Sequence, residues 1–399
     1  MTDVILSGIQ PSGKLHIGNY LGSLKNFVEL QNKYDCYFFI ADYHSITEDY
    51  EPKIKPQQII DLAKDYLAAG LNPKKSNLFV QSHLPEHTEL AWIFNCLTPV
   101  SYLLRMTQFK DKSAIIDLKK TVAGSNSPIE VKNKDKSLKE LDLISKSTDN
   151  KALQLKLNKI LDMALTERIE EVGEKVTHLK ELSSLYKELN NLFKLQKSNT
   201  GLLTYPVLQA ADILMYKATA VPVGVDQDQH VELTRQIARF FNNRFGKTFP
   251  EPKILHTETP KIMSIVEPEK KMSKSLGDNH CIYIEDEIDA IKEKLAKAPT
   301  DSGDATSLGA KNLLALCKIF SKAETCHKFT NDAQTGKLKY SELKNQLAAD
   351  IAGYFQSYRK NKKQIKDNEV KKVLAAGAEK AAKIAKATMA DVRKKIGVR

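Results

Sequence analysis

The chain has 399 residues, with 61 Lys+Arg against 49 Asp+Glu and a formal charge of +12. At about 150 residues per domain this length favours two or three domains, and a composition of 42% hydrophobic and 28% charged residues allows a sizeable core and excludes wholesale disorder. No window approaches the roughly 18 unbroken apolar residues of a membrane span, and Met1-Thr2-Asp3 followed at once by Val4-Ile5-Leu6 lacks the basic start and long apolar core of a secretory signal.

The five cysteines, Cys36, Cys96, Cys281, Cys317 and Cys326, are odd in number, widely spaced and free of any CxxC pair. That pattern suits reduced, mostly buried thiols and offers no disulfide frame or metal site. A soluble cytoplasmic protein without a membrane partner is expected.

In chain order, Val4-Ile5-Leu6, Tyr37-Phe38-Phe39-Ile40 and Leu78-Phe79-Val80 read as buried strands. Helical patterns lie between and after them, over roughly 17–33, 56–69 and 87–96. Strands alternating with helices predict an α/β fold, a parallel sheet covered on both faces. The same style resumes near Leu203, with a helix over 206–216 and a strand at Ala220-Val221-Pro222-Val223.

Residues 114–198 differ. Positions 119–147 are rich in Lys, Ser, Asn and Asp and read as a loop. Beyond them Ile169, Val172, Val176, Leu179, Leu182, Leu185, Leu189 and Leu192 recur at three- and four-residue steps, the spacing of a long amphipathic helix or helical hairpin. From Glu285 to the end the pattern is helical, broken by a loop over 299–307, and predicts a second, all-helical domain. Its last stretch, 359–399, carries fourteen Lys/Arg against four acids, with an apolar stripe through Val373, Ala376, Ala381, Ile384, Met389, Val392 and Ile396. Such a stretch is either a solvated helix with snorkelling lysines or a phosphate-binding face for a nucleic acid.

Two segments carry chemistry. Gln10-Pro11-Ser12-Gly13-Lys14-Leu15-His16-Ile17-Gly18-Asn19 follows the first strand and opens the first helix, where free N–H groups attract anions. Gly13 permits a tight turn, and Gly18 removes a side chain where something must come close. Lys270-Lys271-Met272-Ser273-Lys274-Ser275-Leu276-Gly277 is basic and hydroxyl-rich, suited to neutralising charge on transferring phosphates. Taken singly, each also reads as an ordinary turn or surface loop.

Together, in this order and at these ends of an α/β domain, they resemble the HIGH and KMSKS signatures of class I aminoacyl-tRNA synthetases. The second is matched letter for letter at 271–275, and the first departs only at Asn19, a variant that looks like the tryptophanyl branch of bacterial type. Similar to the same branch are Ser7–Gly13, Arg105–Ser113, Tyr205–Leu208, Ala210–Leu214 and Val223–Gln227. The resemblance covers nearly the whole chain apart from 114–198.

The resemblance implies a Rossmann-like doubly wound parallel sheet, its first half in 1–113, an insertion at 114–198, its second half in 199–284, and a helical tRNA anticodon-binding domain in 285–399. It implies tryptophan–tRNA ligase activity in a homodimer, with ATP as substrate, Mg²⁺ as its companion ion, and tRNA(Trp) as acceptor through a terminal ribose hydroxyl. ATP would meet Gln10, Pro11, Ser12, Gly18, Asn19, Gly224, Val225, Asp226, Ile262, Lys271, Met272, Ser273, Lys274 and Ser275. Lys271, Lys274, His16 and Lys112 would serve the chemistry. Tryptophan would meet Asp212, Gln209, Tyr205, Gln227 and His44, with no metal held by the protein.

Asp212 lies in an otherwise apolar helical run, so its carboxylate needs a donor. That donor is a protein group, such as the Tyr216 hydroxyl, or by resemblance the indole N–H. Gln209, one helical turn before it, makes a pair similar to one that archaeal-type tyrosyl enzymes set around a phenol, so tyrosine is the alternative substrate. A nucleotidyltransferase without tRNA and a non-catalytic paralogue are the remaining alternatives. The first needs no basic helical domain, and the second commonly loses the signature lysines present here. The insertion, with 16 Lys/Arg and 13 Asp/Glu, reads as a solvent-facing hairpin more readily than as a tRNA contact.

Overall fold

The structure is a computed structural model that describes residues 3–107, 109, 199–224, 227–256 and 261–398. The expected insertion at 114–198 lies outside the described residues, as do Lys112, Val225 and Asp226. The chain divides into two compact units, Met1–Tyr102 with Thr204–Arg399, and Leu103–Leu203. Only the two ends of the second unit are described, and Leu103, Met106 and Phe109 are buried there.

Five parallel strands form the sheet of the first unit: β1 (Val4–Ile9), β2 (Asp35–Ile40), β3 (Ser76–Val80), β4 (Ala220–Val223) and β5 (Lys253–His256), in the order β3-β2-β1-β4-β5. Ile5, Phe38, Ile40, Phe79 and Val80 are almost completely buried, which is why these strands read as unbroken apolar runs. β5 escapes that reading. It has four residues, and its ends, Lys253 and His256, are exposed at the sheet's edge.

The strand order reverses between β1 and β4, and ligands of open α/β sheets bind in the crevice beyond the carboxyl ends of strands at such a point. The helix expected over 17–33 is α1 (Ile17–Asn19) and α2 (Lys25–Leu30), joined through a π turn at Tyr20–Leu24. Then come α3 (Lys55–Ala68), α4 (Glu86–Asn95), α5 (Val100–Leu103), α6 (Thr200–Met215) and α7 (Asp228–Phe245). Tyr66 of α3 is fully buried. Its hydroxyl accepts from Ile9 N–H (3.1 Å) and donates to the Phe39 carbonyl (3.3 Å), which pins α3 over the ends of β1 and β2.

The helical region comprises α8 (Ile288–Ala296), α9 (Leu308–Phe320), α10 (Ala323–Gln334), α11 (Tyr340–Tyr354), α12 (Gln356–Gln364) and α13 (Asp367–Ile396). Its apolar residues, among them Leu313, Leu347, Ile351 and Leu374, share one core cluster with Ile5, Phe38 and Leu78 of the sheet. Lys362 of α12 reaches both Asp65 of α3 and Glu285, and the Tyr358 hydroxyl donates to Asp65 at 2.5 Å.

The thirty-residue α13 lies along β3, the edge strand. Val370, Leu374, Ala381, Ala385, Met389 and Val392 face inward, and each large one contributes about 2 kcal/mol by burial. Asn77 Nδ2 donates to the Gly377 carbonyl (3.1 Å), Thr388 Oγ1 donates to the Met215 carbonyl (2.9 Å), and Arg393 Nε donates to Glu89 (2.8 Å). A helix over an edge strand removes a template for unwanted pairing.

Gly377 sets the closeness of this contact, because a Cβ there would lie 1.8 Å from the Leu78 carbonyl oxygen, a backbone atom unable to step aside cheaply. Gly377→Ala is therefore expected to lower stability by at least about 2 kcal/mol, read as a lower urea midpoint. Gly353 of α11 meets nothing within 4 Å. Gly353→Ala should be neutral or stabilise by up to about 1 kcal/mol through helix propensity. Equal effects of the two changes would show that α13 does not press on β3 as described.

Candidate functional site

The segment after β1 turns sharply at Gly13, whose φ of 90° suits glycine. At the start of α1, His16 Nδ1 accepts from the Asn19 N–H and Asn19 Oδ1 accepts from the His16 N–H, both at 3.2 Å. This reciprocal cap gives a local reason for Asn in the fourth place of the signature, since the amide oxygen accepts from the backbone while its own N–H is held by the ring. Gly18 completes the arrangement, because a Cβ there would stand 3.0 Å from the His16 ring. His16 is buried, and burial, then the positive charges of Lys274 and Lys271, lower its pKa to about 4. It is neutral at pH 7. With Nδ1 accepting, the proton sits on Nε2, where it can be donated.

The second signature segment reaches the first by two anchors. Residues 262–264 and 270–272 pair antiparallel, with Met272 N–H to the Ile262 carbonyl (3.0 Å) and Ser264 N–H to the Lys270 carbonyl (2.8 Å). Farther on, Ile17 N–H bonds the Ile282 carbonyl (2.9 Å) and Ile284 N–H the Leu15 carbonyl (3.0 Å). Between these anchors Lys274 Nζ donates to the Ser12 carbonyl (2.8 Å) and to Ser12 Oγ (3.0 Å). Burial lowers the Lys274 pKa, only partly offset by Cys281 and Asp65. Met272 and Ile262 are buried beneath the loop, Lys271 and Ser275 are exposed, and the hydroxyls of Ser273 and Ser275 bond at 2.9 Å. Pro11 is buried, Gln10 is exposed, and Gly224 directly follows β4.

A second cluster forms around Asp212 of α6, which has no exposed surface. Its Oδ2 lies 2.8 Å from His44 Nε2 and its Oδ1 2.6 Å from His87 Nδ1, while Gln81 Nε2 donates to both oxygens at 2.9 Å. His44 sits on the turn after β2, Gln81 on the turn after β3, and His87 on α4. Burial pushes the Asp212 pKa up, but the bonds from His44 and His87 outweigh it, so the carboxyl stays ionised below the usual range. His87 Nε2 lies 2.8 Å from the Tyr216 hydroxyl. Burial raises the Tyr216 pKa, so the hydroxyl keeps its proton and donates it to His87. His87 thus presents Nδ1–H to Asp212.

Of the residues expected around tryptophan, the structure groups Asp212, His44 and Tyr205, whose ring meets His44 edge-on at 6.2 Å and whose hydroxyl lies 2.9 Å from His230 Nε2. Gln209 is half-buried and makes no side-chain hydrogen bond among the described residues, and Gln227 stands at the N-cap position of α7 without a side-chain capping bond. Tyr216 does partner Asp212, though through His87 rather than directly. His87 and Gln81 were not foreseen, because the only local signal was polar residues placed just after a buried strand.

The low pKa of His16 yields a test. An unfolded histidine takes its proton near 6.5 and this one only near 4, so the folded state loses stability as pH falls through that window. Imidazole nitrogen spectra should show an Nε2–H tautomer from pH 8 down to about 5. A midpoint near 6.5 would show that burial and the two lysines do not act on the ring.

The family described as tRNA synthetases class I (W and Y) matches residues 3–133 and 120–356. The tryptophan–tRNA ligase of Caldanaerobacter subterraneus subsp. tengcongensis is 37% identical, over 99% of this chain and 98% of its own. That of Rickettsia felis is 36% identical over 100% and 99%. Among solved structures, tryptophanyl-tRNA synthetase from Mycoplasma pneumoniae superposes with a TM-score of 0.71 at 30% identity, covering 100% of this chain and 99% of that one. The Campylobacter jejuni enzyme, complexed with ADP and tryptophan, gives 0.70 at 27%, covering 99% and 100%. The chain belongs to the class I W and Y tRNA synthetases, in their bacterial tryptophanyl branch.

Proposed function

We propose that the chain joins L-tryptophan to tRNA(Trp) in two steps, first forming tryptophanyl-adenylate from ATP with release of pyrophosphate. The observation that carries this reading is the seating of Lys274 on Ser12, which brings both signature segments to one crevice at the sheet's switch point. The amino-acid carboxylate, already ionised at pH 7, attacks the α-phosphorus. The bond from that phosphorus to the bridging oxygen breaks and pyrophosphate departs, so no enzyme nucleophile is needed. Lys271 and Lys274 stabilise charge on the phosphates, and His16 Nε2–H holds the nucleotide in line. Gln10, Pro11, Ser12, Gly18, Asn19, Gly224 and Ile262 shape its site. Roles for Lys112, Val225 and Asp226 rest on the family resemblance, since they lie outside the described residues. Mg²⁺ arrives as the complex of ATP. The side chains gathered at the turn are lysines, hydroxyls and amides, so no protein ligand for the ion is assigned.

Asp212 reads the substrate. A carboxylate offers about four acceptor directions, and the bonds from His44, His87 and Gln81 use them all. An indole N–H must therefore take one over. His44 is the donor that yields, because His87 is held at both nitrogens.

The basic C-terminal stretch serves tRNA with part of its charge. Lys362, Arg393 and Lys395 are spent on Asp65, Glu89 and Asp391. Lys372, Lys383, Lys386 and Lys394 are exposed, and their spacing puts them on one face of α13. Two copies associate in this reading, supported by the 70% exposed Trp92 of α4 and the 57% exposed Val100. No described helix is long and apolar enough to cross a membrane.

Amino-acid-dependent pyrophosphate exchange tests the first step. Exchange with tryptophan and not tyrosine is expected, with kcat/KM falling roughly 10- to 100-fold in Asp212→Asn. Exchange with tyrosine instead would make Gln209 and Asp212 a phenol-reading pair and overturn the substrate. For the tRNA face, changing Lys372, Lys383, Lys386 and Lys394 together to Gln should lower tRNA charging at least about tenfold and flatten its salt dependence, with exchange intact. Loss of both activities together would count against that division, and a single-chain mass by light scattering against the dimer.

A further inference from the structure

Lys55 opens α3 and lies between the two halves of the site. Its Nζ donates to the Pro11 carbonyl (3.2 Å) and to Ser45 Oγ (3.0 Å), and stands 5.0 Å from the Tyr50 ring. Ser45, buried, donates its own hydrogen bond to the Asp42 carbonyl at 2.6 Å. Among the described residues no carboxylate forms an ion pair with Lys55, and burial lowers its pKa against the opposite pull of Asp42. An ammonium kept half out of water without an acid partner is a cost that its two fixed acceptors must offset. The two acceptors are informative. Pro11 adjoins Ser12, the seat of Lys274, and Ser45 adjoins His44, the partner of Asp212.

We infer that Lys55 is a positioning residue that holds the nucleotide-side turn at Pro11–Ser12 in register with the amino-acid-side turn at His44–Ser45. It touches neither substrate. It fixes the separation of the two backbones that present them, which is the distance an in-line attack on phosphorus depends on. A lysine reaches across because its stem spans the gap and its three N–H groups serve two acceptors at once. The inference rests on the proposed reaction.

The test is pyrophosphate exchange with ATP and tryptophan each varied, on wild type, Lys55→Met and Lys55→Arg, with thermal melts of all three. Misplacement without a lost substrate contact acts on turnover, so Lys55→Met should lower kcat roughly 10- to 100-fold and leave both KM values within about threefold. Lys55→Arg, which keeps donors and charge, should recover most of the loss, and the melting temperatures should agree. A raised KM for ATP at unchanged kcat would make Lys55 a substrate contact and overturn the inference. So would unchanged kinetics, or a loss that Lys55→Arg fails to recover and that follows a lowered melting temperature. A wild-type protein inactive with every amino acid would instead bring down the reaction on which the inference rests.

Discussion

A carboxylate with no contact with water must be enclosed by donors, and much of this molecule is arranged around that requirement at Asp212. The donors arrive from separate parts of the chain: the turn after β2 brings His44, the turn after β3 brings Gln81, and α4 brings His87. Each is useful only if the strands beneath are in order and α6 lies above them. The Tyr216–His87–Asp212 line adds a fixed proton arrangement, in which a hydroxyl that keeps its proton settles which ring nitrogen faces the acid. The carboxylate is thus fully satisfied by protein donors before any substrate binds.

The turn after β1 has the opposite electrostatic character. Lys55, Lys271 and Lys274 lie on or near it, and Lys55 and Lys274 bind backbone carbonyls and hydroxyls rather than carboxylates. In the proposed reading Lys274, held on neutral acceptors, keeps its field for a phosphate. Burial and the lysines keep His16 neutral, so the ring adds a donor to that field without a further charge. In the proposed reading one end of the crevice takes phosphates and the other an indole N–H.

The C-terminal helix divides its charged residues between ties to the rest of the fold and the exposed surface. α13 presses its small residues against β3 so closely that Gly377 meets the Leu78 backbone, and Arg393 is tied to Glu89. Its outward lysines remain at the surface. Placing this helix over an edge strand protects the sheet from unwanted pairing.

The strands β1 to β4 were legible in the sequence because buried parallel strands are continuous apolar runs, and the two signature segments because their residues are contiguous. β5 was not, being short with charged ends at an edge, nor was the π turn at Tyr20–Leu24, which no local pattern distinguishes from regular helix. That Asp212 needed donors followed from its apolar neighbours alone. Which donors they are did not, since His44, Gln81 and His87 lie 125 to 168 residues away along the chain. The basic stretch was plain in composition, whereas the lysines left free on its surface depended on which face met the sheet. The sequence by itself determined the elements and the contiguous motifs, because those rest on neighbours within a few residues. Only the tertiary structure decided the partners of Asp212, the seat of Lys274 and the reach of Lys55, because a hydrogen bond between distant residues depends on where the folded backbone puts them.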